Sequence, residues 1–155
     1  VILGTGESWL ESKLKYIAEK YPQKFAVKIG YDNKLSHMIE AGSDFFIMPS
    51  RYEPCGLNQM YSMRYGTVPI VRATGGLDDT VTNYDASHPE KSTGFKFWDL
   101  NPAALRNTIR WAVDVYKNDK KGYAKMRSNM MSQDFSWNHT AEEYEKLYDD
   151  AIARI

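Results

Sequence analysis

An α/β fold, a parallel sheet flanked by helices, is what this sequence predicts, on three observations. Short apolar runs alternate with segments of helical periodicity. The runs from Phe25 to Ile29, Phe45 to Met48 and Val68 to Val71 lack clean polar alternation, as strands buried on both faces do. Loops bearing glycine or a polar cluster follow the runs, at Gly4-Thr5-Gly6, Gly30-Tyr31-Asp32, Pro49 through Leu57 and Ala73 through Leu77. In open α/β sheets the ligand sits outside the carboxyl ends of the strands, where such loops gather.

The elements follow in order. Val1 to Leu3 reads as the first strand, and Ser8 with Glu11 as a capping box for a helix carrying Leu10, Leu14 and Ile17. After the strand Phe25 to Ile29, Asp32 is the N-cap of a helix with Leu35, Met38, Ile39 and Gly42 at i, i+3, i+4 and i+7. The strand Phe45 to Met48 leads into the Glu53 loop and a helix from Gly56 to Tyr65, which Gly66 stops. Val68 to Val71 and Gly94 to Phe97 complete the strands, with the polar segment from Asn83 to Thr93 read as a surface loop. Asn101-Pro102 starts a helix, cap then proline, carrying Leu105, Ile109, Ala112, Val113 and Tyr116 on one face. Ser136 is the expected cap of a last helix with an apolar face of Tyr144, Leu147, Tyr148, Ala151 and Ile152. The basic residues from Arg106 to Arg127 and the acidic ones from Glu142 to Asp150 read as solvated helix faces.

Bulk properties narrow the function. A chain of 155 residues is one domain by size, and 43% hydrophobic with 26% charged residues is ordinary globular composition. A formal net charge of zero argues against nucleic acid as a partner held by bulk electrostatics. The single cysteine, Cys55, forms no disulfide within the chain and fits a reducing compartment. No apolar run approaches the ~20 residues of a membrane span, so no membrane partner is expected. The chain opens without methionine inside an apolar run and is read as the later part of something longer. His37, His88 and His139 show no ligand spacing with cysteine or acid, so no metal site is expected.

The stretch from Pro49 to Leu77 carries the chemistry. Glu53 stands two residues before Cys55-Gly56-Leu57, which opens a helix. A helix start presents unpaired N–H groups and the positive end of a dipole, and so holds phosphate. A carboxylate beside it suits a ligand with a diphosphate at one end and hydroxyls at the other, which describes a nucleotide sugar. Against this stands the reading of Glu53 as a helix-start acid. Pro54 fixes the chain direction and Gly56 lets a ligand approach the main chain, which favours the site. Cys55 is small and has no histidine in the motif to serve as its base. Tyr31 follows a strand and a glycine, where a ring either stacks on a nucleobase or packs within the fold. Gly75-Gly76 either offers amides to a substrate or makes a turn. Gly4-Thr5-Gly6 with Asp32 invites a nicotinamide dinucleotide site, but Trp9 replaces the third glycine, where close helix–strand packing is required.

The sequences Pro49-Ser50-Arg51-Tyr52-Glu53-Pro54-Cys55-Gly56-Leu57, Tyr65-Gly66-Thr67-Val68-Pro69-Ile70-Val71 and Thr74-Gly75-Gly76-Leu77, with Asp79-Thr80-Val81, resemble the bacterial glycogen synthases and plastidial starch synthases. The likeness runs from Ile2-Leu3-Gly4-Thr5-Gly6 to Asp134-Phe135-Ser136-Trp137. It implies the two-domain GT-B glycosyltransferase fold, with residues 1–155 forming most of the Rossmann-like C-terminal, nucleotide-sugar-binding domain, incomplete at its N-terminus and helical at its C-terminal end. The implied reaction is retaining transfer of glucose from ADP-glucose to the nonreducing end of an α-1,4-glucan acceptor, without a cofactor. By resemblance, Glu53 is the catalytic-site carboxylate that holds the glucose hydroxyls. The amides of Gly56 and Leu57 meet the diphosphate, Gly30 and Tyr31 lie at the adenine, and Cys55, Thr74, Gly75 and Gly76 complete the substrate site. A second glutamate in related retaining transferases is Tyr61 here.

The resemblance also implies that the N-terminal GT-B domain and the cationic residues that neutralise the diphosphate lie before Val1. The isolated chain is therefore not expected to transfer glucose. The strand that would sit centrally in the order 3-2-1-4-5-6 belongs to that missing part, which leaves Val1 to Leu3 and Phe45 to Met48 flanking a gap. The implied location is the cytoplasm, or alternatively the plastid. Transfer from UDP-glucose or another nucleotide sugar, a nicotinamide-binding Rossmann domain, and a non-catalytic sensor are the rival readings.

Overall fold

The strands fall into two separate parallel sheets in the computed structural model, which describes residues 1–154 apart from the side chain of His139. The reading of His139 therefore lies outside the described residues. The chain divides into two compact units, Val1–Asp44 and the remainder from Phe45 onward.

In the first unit, β1 (Ile2–Gly4) pairs in parallel with β2 (Val27–Ile29), Ile2 opposite Val27. Between them runs α1 (Ser8–Lys20), with Leu14 and Ile17 half-buried and Leu10 exposed. The expected Ser8–Glu11 capping box does not form. Ser8 is already helical and Glu7 is the cap residue, so Glu11 reaches past the cap and accepts from the Gly6 amide at 2.9 Å. Trp9 is exposed, its indole N–H donating to the Glu7 carboxylate, and is not wedged between helix and strand as the sequence suggested. Asp32 caps α2 (Asn33–Ala41) as expected, accepting from the Leu35 amide at 2.9 Å and from Lys28 Nζ at 2.6 Å. The Lys28 hydrogen bond, then the Leu35 amide, hold its carboxyl below the usual range. Glu40 is the buried residue of α2, and burial pushes its carboxyl up while His37 opposes the shift.

The second unit is built on β4 (Val68–Arg72), which lies between β3 (Phe45–Met48) and β5 (Phe95–Phe97) in an all-parallel sheet. A β-branched, apolar run suits the central position, and Val68, Ile70 and Val71 are fully buried. Pro69 precedes the β4–β5 ladder, which begins at Ile70, so its missing N–H costs no rung on that edge. Crossovers are α3 (Asn58–Tyr65), then the short α4 (Gly76–Thr80) with a 3-10 turn at Pro89–Lys91. Beyond β5 come α5 (Pro102–Asn118), α6 (Lys120–Ser132) and α7 (Trp137–Ile152). Met63, Leu77, Val81, Phe95, Ala112, Met126 and Met130 close over β4 to form one core.

Local signals place the helices of this unit. Gly66 stops α3 at φ 82°, the left-handed cap that a side chain resists, and its N–H returns to the Met63 carbonyl. Asn101 caps α5 through the Ala104 amide at 2.8 Å, and Thr108, Ala112 and Val115 are its buried face. Asp119 caps α6 through the Gly122 amide at 2.9 Å and also accepts from the Tyr84 hydroxyl at 2.7 Å.

Two expectations need correction. The segment from Asn83 to Thr93 is not simply a surface loop, because Tyr84, Pro89, Ser92 and Thr93 are buried. The Tyr84 ring lies tilted against Phe95 and meets Trp111 edge to face, while the hydroxyls of Ser92 and Thr93 accept from the amides of Asp85 and Thr82. Polarity there is spent on backbone groups. In α7 the apolar face of Tyr144, Leu147, Tyr148, Ala151 and Ile152 is exposed, so it is not part of this core.

Candidate functional site

A trans peptide aims its N–H opposite to its C=O, so a loop whose carbonyls are tied inward presents its amides outward. The segment from Ser50 to Leu57, between β3 and α3, is such a loop, and no cis peptide occurs among the described residues. Arg72 Nη1, at the end of β4, donates to the carbonyls of Ser50 (3.3 Å) and Arg51 (2.9 Å). The Gly76 amide donates to the Glu53 carbonyl at 3.0 Å. Gln59 Nε2 lies 3.2 Å from the Cys55 carbonyl, 2.9 Å from that of Gly56 and 3.1 Å from Thr80 Oγ1.

Holding the Cys55 and Gly56 carbonyls turns the N–H groups of Gly56 and Leu57 the other way. The amides of Gly56, Leu57, Asn58 and Gln59 make no hydrogen bond among the described residues, and no side chain caps α3. The helix begins two residues later than the sequence indicated, since Gly56 and Leu57 belong to the turn before it. Free amides at a helix start, next to the positive end of its dipole, form an anion cradle.

Glu53 is half-buried, with Oε2 3.3 Å from the Ser50 hydroxyl, which donates to it. It does not cap α3. Cys55 is exposed and its thiol lies 3.6 Å from the Gly56 carbonyl. Thr74 and Gly75 sit opposite on the β4–α4 turn, where the Thr74 carbonyl accepts from Leu77.

The glycine pair makes the loop contact possible. A Cβ on Gly75 would stand 2.1 Å from the Glu53 carbonyl oxygen, and one on Gly76 would stand 2.0 Å from that of Cys55. The open alternative between amide donor and turn is thereby divided. The Gly76 amide is spent on Glu53, whereas that of Gly75 is without a partner among the described residues. So Glu53, Cys55, Gly56, Leu57, Thr74, Gly75 and Gly76 come together in the second unit.

Gly30 and Tyr31 are at the carboxyl end of β2 in the first unit. Tyr31 is 89% exposed, so packing within the fold does not account for its ring. Arg72 and Gln59 were missed by sequence reasoning. A charged residue ending a buried strand was a usable signal for Arg72; Gln59 offered none. Among the described residues, no group of three metal-ligating side chains forms, and no helix is long and apolar enough to cross a membrane.

Residues 1–131 match the family model of the glycosyl transferases group 1. The chain is 54% identical over 154 residues to a glycogen synthase of Treponema denticola, covering 99% of this chain and 31% of that protein. It is 52% identical over 151 residues to a glycogen synthase of Koribacter versatilis, covering 97% of this chain and again 31% of the relative. The catalytic domain of starch synthase IV from Arabidopsis thaliana, solved with ADP and acarbose, superposes with a TM-score of 0.82 at 35% identity, over 98% of this chain and 32% of that one. A sucrose-phosphate synthase of Thermosynechococcus elongatus shares the fold, with a TM-score of 0.63 at 22% identity, over 99% of this chain and 39% of that one. The chain thus spans about a third of the length of the curated relatives it matches, and its α/β arrangement is that of part of a GT-B glycosyltransferase. On a match that runs from its first residue to residue 131, within α6, this chain belongs to the group 1 glycosyl transferases.

Proposed function

We propose that the chain supplies the donor-binding half of a retaining glucosyltransferase, which moves glucose from ADP-glucose to the nonreducing end of an α-1,4-glucan. The observation that carries this reading is the inward-tied loop with unpaired amides at Gly56 and Leu57 beside the half-buried Glu53. Support comes from the identity with glycogen synthases and from a structural neighbour solved with ADP and acarbose.

In this scheme the Gly56 and Leu57 amides take the diphosphate, helped by the dipole of α3. They stabilise the charge that grows on it as the bond from glucose C1 to phosphate oxygen breaks. The acceptor 4-hydroxyl bonds to C1 from the same face and passes its proton to the departing phosphate, so no protein nucleophile is needed. Glu53 grips the glucose hydroxyls, with Thr74 and Gly75 alongside, while Cys55 is small enough to leave room. The remaining length of the enzyme supplies the rest of the site. The bacterial origin of the glycogen synthase relatives favours a cytoplasmic setting over the plastid.

The test is Glu53→Gln in the full-length polypeptide, with incorporation of labelled glucose into glucan from ADP-glucose and UDP-glucose. A fall of about 100-fold or more in kcat/KM with the fold intact is expected, on the scale of losing a group that acts in the transition state. Unchanged turnover would remove Glu53 from the site, and preference for UDP-glucose would replace the donor.

A further inference from the structure

The loop is anchored at two ends by residues that share no partner. Arg72 Nη1 reaches only its early part, the carbonyls of Ser50 and Arg51. Ser50 in turn donates its hydroxyl to Glu53 Oε2. A chain of contacts thus runs from Arg72 through Ser50 to the carboxylate. Gln59, fully buried, reaches only the late part, the carbonyls of Cys55 and Gly56, and so orients the amides of Gly56 and Leu57. Between the two anchors stands Pro54, whose locked φ and missing N–H make a stiff joint.

Arg72 is an expensive way to hold two carbonyls. Its Nε is buried without a partner, and no carboxylate pairs with its charge among the described residues. A buried donor left unpaired opposes folding, so stability alone does not account for the choice of arginine here.

We infer that the two anchors divide the work of the site: Arg72 is a positioning residue for the sugar end, acting through Ser50 on Glu53, and Gln59 is one for the diphosphate end, acting on the Gly56 and Leu57 amides. This rests on the proposed donor site. ADP carries only the diphosphate and base, whereas ADP-glucose adds the sugar, so the two ligands separate the two ends.

The experiment measures ADP affinity by calorimetry and ADP-glucose turnover in the full-length polypeptide, for wild type, Arg72→Met, Arg72→Lys and Gln59→Met. For Arg72→Met we expect ADP affinity within twofold of wild type and a fall of at least tenfold in kcat with ADP-glucose. Arg72→Lys, which keeps one donor and the charge, should recover part of that kcat. Gln59→Met should weaken ADP binding about tenfold. A residue that merely supports the fold would lower both readouts together. Equal losses for Arg72→Met, or no loss in either, would overturn the inference while leaving the donor site standing. If Arg72→Met does not melt cooperatively, Arg72→Lys is judged by the same ratio. A wild-type protein that binds neither ADP nor ADP-glucose would overturn the donor reading, and this inference with it.

Discussion

Replacing Gly76 by alanine tests whether the geometry of the loop, and not only its residues, sets the activity. The new Cβ would lie 2.0 Å from the Cys55 carbonyl oxygen and 2.6 Å from both its carbonyl carbon and its Cα. The closest of these is about 1.4 Å short of the 3.4 Å at which ordinary contact begins, and all three are backbone atoms that no rotamer change can move. The Cys55 segment must therefore retreat by more than 1 Å, or α4 must. Either movement strains the bond from the Gly76 amide to the Glu53 carbonyl. Overpacking of this kind costs about 1–3 kcal/mol. A misplacement of about 1 Å at reacting groups costs on the order of 100-fold in rate. On the proposed donor reading, the variant made in the full-length polypeptide should thus remain folded in urea titration while glucose incorporation from ADP-glucose drops about 100-fold. Wild-type turnover in a folded Gly76→Ala protein would refute the argument that this contact holds the site.

Two further predictions concern stability. Asn101→Ala removes the cap of α5, which should cost about 1 kcal/mol and lower Tm by about 2–4 °C in calorimetry. Tyr84→Phe should lower Tm at neutral pH, and the gap to wild type should close at both pH extremes. Burial, then the hydrogen bond to Asp119, pushes the Tyr84 hydroxyl up to about 12, so the stability it contributes is complete below about pH 10 and is lost as pH rises toward 12. Asp119 is held below the usual carboxylate range, first by the Tyr84 hydroxyl and then by the Gly122 amide. Its contribution is therefore present above that range and lost as pH falls through the lowered value. A pH-independent gap between the two proteins would contradict the pairing.

What was legible in the sequence was what local chemistry decides. β3 falls on the expected residues, Asp32 and Asn101 cap where their side chains can reach an amide three residues on, and Gly66 stops α3. Ser8 failed because a cap depends on where the chain enters the helix, which the preceding glycine-rich turn moved by one residue. The segment around Tyr84 was misread because its hydroxyl-rich composition looks solvated, whereas those hydroxyls bond to buried amides. In the site, Glu53 and its turn could be read from residue type and order. Arg72 left one sign, a charge ending a buried strand, but not its partners, the carbonyls 22 and 21 residues back; Gln59 left none, because main-chain carbonyls four and three residues back accept from any donor and Thr80 lies 21 residues on.

Because the loop owes its shape to anchors gripping its main chain, its outward side chains are released from structural duty. Arg51, Tyr52 and Leu57 are all exposed, and none of their side chains takes part in the anchoring. If the proposed donor site holds, libraries randomised at these three positions in the full-length polypeptide would vary what the loop presents outward while the anchored main chain keeps its register, which makes this short stretch the natural starting point for altering specificity.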